Sequence, residues 1–126
     1  MLQMKKYKGL KRVLHAFYNS INGLRVVFKN ELAFVQELYL CILLTPLMFI
    51  IETNITEKLF LVLSMFIVLI VEIINSAIES TIDRIGLEHN ALSGQAKDMG
   101  SAAVFLSLSM IIITHAVIFI PKIFCN

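Results

Sequence analysis

Residues 59–81 read LFLVLSMFIVLIVEIINSAIEST, and their reading decides the fold. From Leu59 to Val71 only Ser64 interrupts an apolar run; then Glu72, Asn75 and Glu79 appear among residues that remain apolar. At about 1.5 Å per residue, roughly twenty such residues cross a hydrocarbon core of about 30 Å as one helix. On that helix the three polar residues stand at i, i+3 and i+7, and at about 100° per residue they share a stripe roughly 60° wide. Asp83 continues the stripe if the helix persists. A central acidic residue costs about 2.5–3.5 kcal/mol even on the lenient insertion scale, so the stripe faces protein or a water-filled cleft.

The rest of the chain agrees with a membrane setting. It has 126 residues, 58% of them hydrophobic, and a mean hydropathy of +0.82. A water-soluble domain of that length does not enclose so much apolar surface, so the excess faces lipid. Trp is absent, leaving Tyr and Phe for any interfacial belt. We expect an all-α membrane protein forming one domain over 1–126. A surface helix is expected at 7–30 and spans at about 34–51, 59–78 and 102–120. In the first segment Leu10, Val13, Leu14, Phe17, Ile21, Leu24 and Phe28 recur at helical spacing with basic and polar residues between them, the pattern of a helix lying along the membrane surface. Pro46 is expected to kink the first span, Pro121 to end the third, and Gly86, Gly94 and Gly100 to break the polar segment between spans two and three. Ser93 has the look of a helix start.

Net charge is only +2, but seven of the eleven basic residues precede residue 30: Lys5, Lys6, Lys8, Lys11, Arg12, Arg25 and Lys29. Followed by spans, such a basic end suits anionic headgroups better than nucleic acid. It also places the N-terminus in the cytoplasm, the 52–58 connector outside and the 83–101 segment inside again, on the side that holds ATP. Cys41 and Cys125 have no disulfide or metal spacing. Cys41 reads as a small buried residue and His115 as a packing or hydrogen-bonding one. No GxxxxGK[ST], HExxH or CxxC occurs.

Three groups are fit for chemistry. Glu72 lies about 10 Å deeper along its helix than Glu79, and a carboxylate in such a place accepts a proton more readily than one at the surface. The competing structural reading is helix association through protonated Glu and Asn hydrogen bonds. Glu31 sits where the surface helix meets the first span and is expected level with Glu79; two such carboxylates, with phosphate oxygens and water, suit a hard cation such as Mg²⁺. Glu37 reads as a polar contact between helices. In LSGQAKDMGSAA (residues 92–103), Lys97 is placed to hold a phosphate, with Asp98 either orienting it or taking part in the metal and nucleotide contacts, while Gly100, Ser101, Ala102 and Ala103 permit close helix approach. Arg12 and Arg25 suit phosphate or headgroup contact.

These residues alone leave open a lipid-directed enzyme or a small proton-coupled membrane transporter with Glu72 as its relay. NE at 30–31, VEIINSAIE at 71–79 and LSGQAKDMGSAAV at 92–104 together resemble the bacterial integral-membrane diacylglycerol kinase family, from GLR at 23–25 through the third span. The resemblance implies ATP-dependent phosphorylation of diacylglycerol to phosphatidic acid by a homotrimer in the bacterial inner membrane, with sites between subunits. By the same resemblance Glu72 is the catalytic base, assisted by Asn75, and Glu31 and Glu79 hold Mg²⁺. Arg12, Asn19, Glu31, Glu79, Glu88, His89, Asn90, Lys97 and Asp98 contact ATP, and Arg12, Glu72 and Ser101 contact the lipid. The chain departs from the family's usual Tyr-His at His89-Asn90, from an aromatic at Asn19 and from a polar residue at Val35. An undecaprenol kinase on the same fold is the nearest rival, but such relatives lack the RIG and DMGSAA wording present here.

Overall fold

A computed structural model describes residues 9–86, 88 and 90–124. His89, Cys125 and the three lysines before Gly9 lie outside the described residues. The fold is all-helical: α1 Leu10–Asn30, α2 Leu32–Leu44, α3 Leu47–Ile50, α4 Ile55–Ile85 and α5 Ala91–Phe124. Among the described residues three stretches are long and apolar enough to cross a membrane: α2 with α3 (Leu32–Ile50), α4 and α5.

Helix α1 follows Gly9, its N-cap, whose positive φ of 61° is a conformation that a side chain would disfavour. Its apolar row is left bare, with Leu10, Phe17 and Phe28 all more than half exposed. A row so exposed is what a membrane surface would cover. Between α1 and α2 stands one extended residue, Glu31 (φ −109°, ψ 105°), whose N–H still bonds to the Val27 carbonyl at 2.8 Å.

Pro46 divides the first span as expected. α2 stops before Thr45, whose hydroxyl and N–H both turn back to the Cys41 carbonyl at 2.7 and 3.0 Å. α4 then opens on a capping box: the Asn54 side chain accepts from the Glu57 N–H at 2.9 Å, and the Glu57 carboxylate accepts from the Asn54 N–H at 2.8 Å.

The long helices α4 and α5 pack as an antiparallel hairpin. Leu61, Val68 and Ile111 are its most deeply enclosed side chains, joined by Met65, Phe119 and, from the first span, Cys41 and Met48. His115 is buried; its Nδ1 lies 2.8 Å from the Ile111 carbonyl and its ring meets Phe119 edge-on at 5.5 Å. Each end of the hairpin carries an ion pair. Lys97 reaches Asp83 at 2.6 Å, and at the other end Lys122 reaches Glu57 at 3.0 Å and donates to the Glu52 carbonyl at 2.7 Å.

Several expected boundaries are corrected. Gly94 and Gly100 do not break the chain, because α5 already begins at Ala91. Its start is set by Asn90 rather than Ser93: the Asn90 side-chain oxygen accepts from the N–H groups of Leu92 and Ser93 at 2.9 and 3.2 Å. Pro121 does not end α5, which runs on to Phe124. A proline this near a helix end removes one donor, and the Lys122 anchors hold the remaining turn. Both α4 and α5 therefore run beyond the purely apolar stretches that predict them. Replacing the α4 cap, Asn54→Ala, is expected to destabilise the fold by about 1 kcal/mol, measurable as a lower unfolding midpoint in mixed micelles.

Candidate functional site

At the end of the hairpin that carries Asp83 and Lys97, a cleft of about 260 Å³ opens between α2, α4 and α5. Its walls are Glu31, Ala33, Glu72, Asn75, Glu79, Ser101 and Val104. The site follows from three local facts. The i, i+3, i+7 spacing turns Glu72, Asn75 and Glu79 to one side of α4. The single extended residue between α1 and α2 puts Glu31 at the rim, where its side chain makes no capping hydrogen bond. The start of α5 at Ala91 brings Ser101 about three turns in, beside Asn75.

Burial grades along the stripe. Glu72 and Asn75 are 4% and 8% exposed, whereas Glu79 and Glu31 are half-buried. Asn75 Nδ2 donates to Glu79 Oε1 at 3.1 Å, which fixes the outer carboxylate relative to the inner one. Among the described residues none of Glu31, Glu72 and Glu79 forms a salt bridge; the ion pairs lie at Asp83 and Glu57, although the Glu79 charge also acts on Lys97. Three carboxylates around one opening repel an incoming phosphate unless a cation comes with it. Hard oxygen donors of this kind fit Mg²⁺. Among the described residues no group of three His, Cys, Asp or Glu side chains gathers closely enough to hold an ion.

The expected residues divide into groups. Glu31, Glu72, Asn75, Glu79 and Ser101 come together in the cleft. Lys97 stands one turn before it on α5, but its partner is Asp83, not Asp98, which is exposed. Asp83 and Lys97 close the hairpin because both sit on facing sides of antiparallel helices, a relation that neighbouring positions in sequence do not reveal. Glu88 and Asn90 are exposed at the same end, and the Asn90 oxygen is occupied in capping α5. His89 lies outside the described residues. Arg12 and Asn19 are not brought to the cleft: both are exposed on α1, and Asn19 pairs with His15 at 3.2 Å. Glu37 is buried on α2, and its Oε2 has no hydrogen-bond partner, so the expected contact between helices is not made by that atom. Of the four small residues at the head of the third span, only Gly100 is buried. It lies against Asn75, a relation that sequence reading did not reach.

Comparison with known proteins identifies the family. The pattern of the family described as prokaryotic diacylglycerol kinase matches residues 18–119, which include every wall of the cleft. The diacylglycerol kinase of Pseudomonas aeruginosa is 43% identical over 114 residues, covering 90% of this chain and 93% of that protein. Those of Haemophilus influenzae and Escherichia coli K12 are each 41% identical, covering 86% and 87% of this chain and 92% and 90% of theirs. With most of its length matched, at such identity and across the polar cleft, this chain belongs to the prokaryotic diacylglycerol kinase family.

Proposed function

We propose that this chain transfers the γ-phosphoryl group of ATP to the free hydroxyl of diacylglycerol in the bilayer, releasing ADP and phosphatidic acid. The observation that carries this reading is the meeting of Glu31, Glu72, Asn75, Glu79 and Ser101 in one cleft between apolar helices, in a family whose relatives are named diacylglycerol kinase. A lipid keeps its acyl chains beside the exposed apolar faces of the helices and offers its hydroxyl to the cleft from the interface. Phosphoryl transfer asks the protein mainly for positioning and charge stabilisation. Glu72, the deepest carboxylate, accepts the hydroxyl proton as the oxygen attacks the γ-phosphorus and the bond to the β-phosphate oxygen breaks. Asn75 holds Glu79 in place, and Ser101 faces the acceptor. Lys97, released from Asp83, offsets charge on the phosphate. Mg²⁺ held by Glu31 and Glu79 would neutralise the phosphate oxygens and align them.

The reading includes a homotrimer in the bacterial inner membrane, with the cleft on the cytoplasmic side where the basic N-terminal end lies. Sites shared between subunits account for Arg12. Nineteen residues separate it from Glu31, about 28 Å along a continuous helix, so as α1 stands it serves a neighbour's cleft rather than its own.

The decisive experiment is ATP consumption and lipid phosphorylation by purified protein, with diacylglycerol and undecaprenol as competing acceptors; no turnover of diacylglycerol defeats the reading. Glu72→Gln is expected to lower kcat by at least about 100-fold with oligomeric state unchanged, whereas Glu79→Ala chiefly weakens Mg²⁺–ATP binding. A near-normal rate for the first variant removes the base assignment. For the shared sites, Arg12→Glu and Glu72→Gln, each inactive alone, are expected to recover activity when co-expressed; no recovery counts against composite sites.

A further inference from the structure

We infer that Gly100 is a positioning residue for the Glu79 carboxylate, acting through the side chain of Asn75; this deepens the phosphotransfer reading above and rests on it. Gly100 is the buried glycine of α5, and a Cβ placed on it would overlap Asn75 Oδ1. A Cβ at Gly23, Gly86 or Gly94 would meet nothing within 4 Å. Among the described residues Gly100 is the glycine whose added Cβ would meet a side chain of the facing helix; Ser101, Ala102 and Ala103, which follow it, are exposed.

The Asn75 carboxamide is thereby held at both ends. Its oxygen is enclosed against Gly100 and accepts no hydrogen bond, while its nitrogen donates to Glu79 Oε1 at 3.1 Å. The reversed amide would turn its oxygen toward a carboxylate oxygen and its two donors toward a glycine Cα, which accepts none. Glycine at 100 thus leaves one favourable setting of Asn75, the one that steadies Glu79. A methyl group there has two outlets. It rotates the carboxamide off Glu79, or it pushes α5 away from α4 and takes Ser101 with it. Because Glu79 is the outer carboxylate and Glu72 the inner, the first outlet disturbs nucleotide and metal binding before it disturbs the lipid.

The test compares full-length wild type, Gly100→Ala, Asn75→Ala and the double variant in mixed micelles. Binding of a non-hydrolysable ATP analogue with Mg²⁺ is measured without lipid, and KM for diacylglycerol is measured wherever turnover remains. Gly100→Ala is expected to weaken analogue binding roughly tenfold, the loss of one hydrogen bond to a charged group. KM for diacylglycerol should stay within about twofold, and Gly100→Ala should add less than about twofold to the binding defect of Asn75→Ala, since the two act through one contact. Equal losses in both backgrounds, or unchanged analogue binding in Gly100→Ala, overturn the inference. If Gly100→Ala fails to fold, the double variant is expected to fold because truncating Asn75 makes room; its failure too would show that Gly100 serves helix packing alone. Wild-type protein that binds no nucleotide defeats the phosphotransfer reading itself, a result distinct from normal wild-type binding with no effect at Gly100.

Discussion

Hydrocarbon does not solvate a carboxylate, and the architecture is arranged around that constraint. Glu72, Asn75 and Glu79 occupy one side of α4, where lipid contact would be costly. They are tolerable because α5 covers them closely and α2 closes the remaining side. The cover is tight at the depth of Asn75 and looser toward the end of the hairpin, where Glu79 and Glu31 are half-buried. The hairpin provides both: a glycine at the point of contact, then a cleft toward the end where Asp83 and Lys97 pair.

The opposite end of the hairpin has a different task. There the polar groups are satisfied locally, by the capping box at Asn54 and by Lys122 bridging Glu57 and the Glu52 carbonyl. Between the two ends lies an apolar core of Leu61, Val68 and Ile111. Most of the net stabilisation comes from such packing, because exposed ion pairs contribute little. The pairs at the two ends set the register of one helix against the other, and register decides which residue of α5 faces Asn75.

The main architecture was legible in the sequence because its signals are periodic. The apolar run at 59–71, the stripe at 72–79 and the amphipathic spacing from Leu10 to Phe28 are local patterns, and each appears as a helix of the expected character. That Glu31 and Glu79 face one cleft was also legible, since both mark the same end of their apolar segments. What escaped was relational. Gly94 and Gly100 look like breakers by propensity, yet tertiary packing overrides a cost of about 1 kcal/mol per glycine. Lys97 seemed matched to the adjacent Asp98, but side chains at consecutive helical positions point apart, and Asp83 across the hairpin takes the pair. Pro121 has the propensity of a stop, but Lys122 beyond it is tied to Glu57 and the Glu52 carbonyl across the hairpin.

The lone extended residue at the elbow of α1 and α2 carries a mechanical consequence. Glu31 supplies a cleft carboxylate and is at the same time the whole of the link between the helix with the bare apolar row and the first span. A link of one residue has no slack. The angle between the two helices is set at the backbone torsions of Glu31, the same torsions that direct its side chain. The orientation of the first helix and one wall of the cleft therefore meet at a single residue.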